Sequence, residues 1–261
     1  MIGAYLDAAR MIGRRVGELH LALLVDAKNP DFAPEPYSAL YQRSMYQSMR
    51  NLQGRVMRQL SGRIRSLPKE LQAGAQAVLD NKDQVGARFD AFLRQRLSAV
   101  RQRTHGDLHL GQMLYTGKDF VIIDFEGEPA RPLTERRRKR SALRDVGGML
   151  RSFGYAALSE MTNQIQGGAL GKADFATMEP WARFWQTWCS WAFLRGYLET
   201  AGGSAIVPKS RDELQILLDA FVLEKAIYEL GYELDNRPNW AFIPIQGIAQ
   251  IAGISPASPT G

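Results

Sequence analysis

The chain has 261 residues, 45% of them hydrophobic and 23% charged, with a formal net charge of +6, a balance typical of a globular protein with ample material for a core. No apolar run approaches the roughly 20 residues that cross a bilayer, and the N-terminus lacks the zones of a secretory signal. The single cysteine, Cys189, excludes an internal disulfide framework, so a cytoplasmic protein that enters no membrane is the default expectation.

Most of the sequence has a helical period. Residues 3–27 place Leu6, Ala9, Ile12, Val16, Leu19 and Leu23 at three-and-four spacing, the signature of one buried helical face. Pro30, Pro34 and Pro36 then break the chain. Residues 38–65 and 83–102 also read as helices with narrower apolar stripes, and a short helix is expected from Pro68 into the 70s, with the proline near its first turn. The character changes at Thr104. Residues 112–115 (QMLY) and 120–124 (FVIID) are short β-type runs, and Thr116-Gly117-Lys118-Asp119 between them is turn chemistry. This hairpin is the only sheet element expected.

From Arg131 to Arg144 the chain reads RPLTERRRKRSALR, one acid (Glu135) against seven bases. No aromatic-rich RNA motif or zinc-finger spacing accompanies the run, so it is read as a solvated helix start and no nucleic-acid partner is expected. Helical patterning resumes over 142–164 and 174–200, where Cys189 lies among Trp185, Trp188 and Trp191 as a buried structural thiol. Ser210-Arg211-Asp212-Glu213 forms a capping box that opens a helix running to Asp235, with Pro238 as its stop. Residues 240–254 are apolar and predict a last short helix; 255–261 (SPASPTG) predict a disordered tail.

Phosphoryl transfer needs few protein groups: a carboxylate near the acceptor hydroxyl, metal ligands, and contacts to the phosphates. Residues 105–124 carry such groups at kinase spacing. Asp107 sits in His105-Gly106-Asp107, and Gln112 follows five residues later, the offset of the Asn in H-R-D-x-x-x-x-N. The hairpin returns the chain to Asp124-Phe125-Glu126, in the place of the kinase D-F-G. His105 and His109 are four apart, but no H-E-x-x-H pattern or clustered ligand supports zinc, and the only other histidine is His20. His105 is therefore expected to brace the loop from the interior, and His109 to lie beside the phosphates or the catalytic loop. Gly167-Gly168-Ala169-Leu170-Gly171-Lys172 fails as a P-loop, having Gln166 where the first Gly belongs and Ala173 after the Lys.

HGDLHLGQ with IDFEGEP, followed by ERRRKRSALRDVGGMLRSFGYAA, resembles the maltokinase family, found alone or fused to trehalose synthase. Aminoglycoside phosphotransferase-type relatives share H-G-D-x-H-x-G-N, normally with Asn where Gln112 stands; Gln112 with Glu126-Gly127-Glu128-Pro129 narrows the resemblance to maltokinase. The stretch from Lys225 to Ile248, KAIYELGYELDNRPNWAFIPIQGI, resembles that family too. The resemblance implies ATP-dependent phosphorylation of maltose at its anomeric hydroxyl. Asp107 would be the base and Gln112 and Asp124 the Mg²⁺ ligands, which with His109 form the nucleotide side. Asp145 resembles the helix Asp with which kinases brace the catalytic-loop backbone, a structural role. Lys225, Tyr228 and Tyr232 match the region where the family binds sugar, with Glu229, Arg237 and Trp240 as weaker candidates.

The fold class expected is mainly α with one β-hairpin: the C-lobe of a protein-kinase-like fold over residues 1–254. No G-x-G-x-x-G or V-A-I-K-like strand occurs anywhere, so the N-lobe is expected to be missing and activity of the chain alone to be weak or absent. Maltose and trehalose synthase are the implied partners. The alternatives are a kinase for another small hydroxylated acceptor, such as an aminoglycoside, and a non-catalytic C-terminal module of a trehalose synthase assembly.

Overall fold

The computed structural model describes residues 2–24, 28–94, 96–129, 131–169, 171 and 174–254; the expected tail lies outside them. In chain order the elements are α1 (Ile2–Ala22), β1 (Glu35–Pro36), α2 (Ala39–Arg63), α3 (Lys69–Asp80), α4 (Lys82–Ala87), α5 (Ala91–Arg94) and β2 (Val100–Arg101). The hairpin strands β3 (Met113–Tyr115) and β4 (Phe120–Ile122) follow, then α6 (Leu133–Arg136), α7 (Leu143–Gln166), α8 (Asp174–Ala201), α9 (Arg211–Asn236) and α10 (Phe242–Ala252). They form two compact units, Met1–Pro36 with Ser98–Leu214 and Tyr37–Leu97 with Gln215–Gly261; the single lobe expected over 1–254 spans both.

In the first unit the principal contact is α1 against α8. The buried face of α1 is Ala9, Ile12, Gly13, Val16, Gly17 and His20, and that of α8 includes Ala192, Phe193, Gly196, Tyr197 and Ala201. The helices touch backbone to backbone through two glycines. A Cβ on Gly13 would stand 2.0 Å from the Phe193 carbonyl oxygen, and one on Gly196 would stand 2.1 Å from that of Arg10. On α7, Phe153 packs on Phe193 with ring centroids 5.8 Å apart. Cys189 is fully buried, and burial pushes its thiol up to about 11, which keeps it inert. Trp181, Phe184, Trp188 and Trp191 line the exposed side of the same helix.

The hairpin pairs Met113 with Ile122, Leu114 with Val121 and Tyr115 with Phe120. Arg15 of α1 ties down its turn, donating from Nε and Nη2 to the Asp119 carboxylate at 2.8 Å each. A second small sheet corrects the expectation of one hairpin: Glu35 pairs with Arg101 and Pro36 with Val100. It also corrects the helix expected over 83–102, which forms only as the short α4 and α5 before the chain turns extended. Tertiary pairing overrides local propensity there: Arg101 bonds Glu35 at 2.5 Å, and the Gln102 and Arg140 backbones exchange two hydrogen bonds of 2.8 Å. Part of the basic run is engaged rather than solvated. Lys139 reaches Glu35 at 3.0 Å and the Ala33 carbonyl at 2.7 Å, and Arg136 reaches Glu126 at 3.6 Å.

The second unit is built on α2, whose N-cap Ser38 accepts from the Tyr41 N–H at 3.1 Å, a cap that contributes about 1 kcal/mol. Its buried residues include Met45, Met49, Leu52, Val56, Met57 and Leu60. Phe92 of α5 packs edge-on against Phe221 of α9 at 6.3 Å, and Gln59 donates to the Gly231 carbonyl at 3.1 Å. Pro68 stands at the N-cap of α3, next to its first turn as expected. In the first unit the capping box forms by half: the Glu213 N–H reaches Ser210 Oγ at 3.5 Å, but the Glu213 carboxylate accepts from the Ser98 N–H at 3.0 Å and hydroxyl at 2.6 Å.

Gly196→Ala is expected to destabilise the protein by at least about 2 kcal/mol, since an added methyl meets backbone that cannot rotate away. Gly62→Ala, whose Cβ would meet nothing within 4 Å, is expected to change stability by less than about 1 kcal/mol. Urea unfolding of the two variants beside the parent chain measures the difference.

Candidate active site

The HGD loop is held from below by α7. Asp145, in the first turn of that helix and 3% exposed, accepts the backbone N–H of His105 on Oδ2 at 2.8 Å and that of Gly106 on Oδ1 at 3.0 Å. One turn on, Gly148 lets the Leu108 carbonyl lie against the helix; a Cβ there would stand 2.7 Å from that oxygen. A further turn on, Ser152 Oγ accepts from the Leu110 N–H at 2.8 Å. Gly106 takes φ +90°, a conformation that side chains rarely adopt.

His105, 1% exposed, joins the loop to the end of the hairpin. Its Nε2 lies 2.9 Å from the Ile123 carbonyl oxygen, and its Nδ1 faces the Asp107 N–H at 3.4 Å. Both contacts are satisfied by the neutral tautomer protonated on Nε2. The Ile123 N–H in turn donates to the Gln112 carbonyl at 3.1 Å, which carries the ladder one residue past the strands and brings Asp124 beside Gln112. There Gln112 Nε2 donates to Asp124 Oδ2 at 2.9 Å. Asp124 is the only non-glycine residue at positive φ (65°) among those described. His109 caps the short 3₁₀ turn at Leu110–Gln112, its Nδ1 accepting from the Gly111 N–H at 3.0 Å, and its Nε2 lies 3.5 Å from Gln112 Nε2.

His105, Asp107, His109, Gln112, Asp124 and Asp145 are thus linked within the first unit. Lys225, Tyr228 and Tyr232 stand on α9 in the second unit. Lys225 Nζ lies 5.2 Å from the Tyr228 ring centre. The Arg237 guanidinium sits 5.7 Å from the ring of Tyr232 and 4.8 Å from that of Trp240 and bonds Glu233 at 2.6 Å. Glu229 is buried.

Two residues of the loop support escaped the sequence reading. His20, at the end of α1, places Nε2 3.2 Å from Asp145 Oδ2 and Nδ1 3.1 Å from the Tyr197 hydroxyl. His20 and Tyr197 are both fully buried. A histidine on the apolar face of an otherwise ordinary helix was the only available signal. Burial alone would push the Asp145 carboxyl up; the hydrogen bonds from His20 and the Gly106 N–H hold it below the ordinary value.

The fold, a helical lobe with an Asp-braced loop leading into a hairpin that ends at Asp124, is shared with solved structures of glucosamine kinases. Over 96% of the chain it superposes on one crystal form with a TM-score of 0.71 at 19% identity, covering 52% of that protein. A complex with glucosamine, ADP and inorganic phosphate gives 0.72 at 19% identity, covering 96% of this chain and 53% of that one. In sequence, the chain is 29% identical over 143 residues to a glucosamine kinase of Mycolicibacterium smegmatis, 54% of this chain and 32% of that protein. It is 26% identical over 196 residues to a glucosamine kinase of Streptacidiphilus jiangxiensis, 73% of this chain and 40% of that protein. The matched segments span 32% and 40% of the curated relatives' length. No protein-family profile matches it, and no helix among the described residues is long and apolar enough to cross a membrane.

Asp145→Asn is expected to cost about 3 kcal/mol or more, because its amide group faces one backbone N–H donor-to-donor in a buried site. A carboxyl held low in the folded state contributes stability that is complete above the unfolded value near ~3.9 and lost as pH falls through the folded one. Stability measured against pH should therefore decline below about pH 4 in the parent chain, and less steeply in the Asn variant.

Proposed function

We propose that the chain is the catalytic lobe of an ATP-dependent sugar kinase, with an amino sugar of the glucosamine type as the leading acceptor. The observation that carries this reading is the Gln112–Asp124 contact of 2.9 Å at the end of a loop braced by Asp145. The names of the relatives support the acceptor class. In the proposed reaction the acceptor hydroxyl oxygen attacks the γ-phosphorus, the bond from phosphorus to the ADP oxygen breaks, and the hydroxyl proton passes to the Asp107 carboxylate. His109 stands beside Gln112 on the proposed phosphate side.

The donor set at Gln112 and Asp124, one amide and one carboxylate, fits Mg²⁺, which commonly takes one or two carboxylates and completes its shell with water and phosphate oxygens. When bound, that ion neutralises charge on the phosphates. Among the described residues no group of three or more His, Cys, Asp or Glu stands within metal-binding reach, which fits a site shared with the nucleotide better than an all-protein cage. Lys225, Tyr228 and Tyr232 are the proposed sugar contacts, by the capacity of their tips to hydrogen-bond hydroxyls and of the tyrosine rings to stack on a pyranose.

Maltose is the second reading, resting on Gln112 and on Glu126 to Pro129. An assay of ADP release separates the two. The chain is assayed alone and as a chimera behind the N-terminal region of the M. smegmatis glucosamine kinase, with glucosamine, maltose and an aminoglycoside offered in turn. Glucosamine-dependent turnover is expected in the chimera, reduced about 10²-fold or more by Asp107→Asn. Turnover with maltose alone selects the second reading, and no turnover with any acceptor overturns the kinase assignment.

A further inference from the structure

We propose that His20, oriented by Tyr197, is a positioning residue that sets the geometry of the HGD loop through Asp145. The catalytic consequence rests on the kinase reading above; the structural part stands without it.

Three observations converge on His20. Its side chain completes a buried line of polar contacts: the Tyr197 hydroxyl to Nδ1 at 3.1 Å, then Nε2 to Asp145 Oδ2 at 3.2 Å. That same oxygen accepts the His105 N–H at 2.8 Å, so His20 and the loop backbone share one acceptor atom. The His20 carbonyl also accepts from Gln102 Nε2 at 2.9 Å, and the Gln102 backbone pairs with Arg140 just before the loop begins. One helix-end residue therefore holds the loop at its entry through Gln102 and at its turn through Asp145.

The proton positions follow from the donor inventory. A protonated, buried tyrosine must place its O–H hydrogen on an acceptor, and His20 Nδ1 is the ring nitrogen within reach. Nδ1 is then bare and Nε2 carries the proton that Asp145 accepts. The line runs Tyr197 O–H to His20 to Asp145 carboxylate, every member using its hydrogen once. An apolar core residue filling the same space would leave the Tyr197 hydroxyl without this acceptor and Asp145 Oδ2 with one donor fewer, a cost buried polar groups normally avoid.

The test uses the full chain. Nitrogen-15 NMR of His20 is expected to show the neutral Nε2–H tautomer. His20→Phe, which keeps a ring and loses both nitrogens, is expected to speed amide exchange at His105 and Gly106 by about tenfold or more while amides near Met161 in α7 hold steady. His20→Gln, whose amide nitrogen reaches about where Nε2 stood, should return exchange to within about threefold of the parent. In the active chimera the Phe variant should lower kcat about tenfold or more at unchanged KM. A tautomer protonated on Nδ1, or unchanged exchange at His105 and Gly106 in folded His20→Phe, overturns the proposal. Should that variant not fold, Tyr197→Phe decides: exchange at the two amides about threefold faster or more supports it, and unchanged exchange overturns it. If the parent chimera phosphorylates nothing, the kinase reading fails while exchange and tautomer still judge His20.

Discussion

The buried carboxylate of Asp145 is the interaction on which the rest of the site depends. A charge removed from water is tolerated only when its oxygens are occupied, and here one accepts Gly106 while the other accepts both His105 and His20. Its place in the first turn of α7 adds the favourable field of the helix N-terminus. The N-cap residue Ala142 contributes no side-chain cap, Ser141 Oγ accepts from the Leu143 N–H at 3.3 Å, and the first-turn carboxylate of Asp145 is turned to the loop. Asp145, Gly148 and Ser152 fall three and then four residues apart, so a single face of α7 receives Gly106, Leu108 and Leu110 in succession. The loop is docked along a helix rather than spanned across a gap.

A second constraint fixes how His20 reaches Asp145. The Gly13 and Gly196 contacts let α1 and α8 approach at backbone distance, and each helix carries a buried polar residue near the crossing: His20 seven residues after Gly13, Tyr197 directly after Gly196. A larger residue at the crossing would separate the two helices and stretch the contacts of 3.1 and 3.2 Å that His20 makes. The same α1 carries Arg15, whose paired bonds to Asp119 steady the far end of the hairpin. One helix thereby supports both the loop and the hairpin that meet at Gln112 and Asp124.

The parts of the site readable in the sequence are those closed by local chain. His105 to Asp124 lie within one loop and one tight hairpin, so spacing alone brings Gln112 toward Asp124. The long helices were equally legible from their periodicity. What escaped depends on partners distant in sequence. His20 meets Asp145 across 125 residues and Tyr197 across 177, and nothing local distinguishes it from a core histidine. Val100 and Arg101 are strand because Glu35 and Pro36 lie beside them, and two-residue strands leave no period to detect. Glu213 had a local partner in Ser210 and took a distant one in Ser98 instead, a choice that propensity does not encode.

The left-handed Asp124 shows how these constraints meet. A non-glycine residue there stores strain of roughly 1–3 kcal/mol, which persists only where neighbours over-determine the backbone. Three contacts do so. The Ile123 N–H is held by the Gln112 carbonyl, the Ile123 carbonyl by His105 Nε2, and the Asp124 carboxylate by the Gln112 amide. Two of the three run through Gln112 and the third through His105, whose own N–H is fixed by Asp145. The orientation of the Asp124 carboxylate is therefore set by backbone and loop together, and the chain of supports that ends at this acid begins at Tyr197 and His20 in the interior.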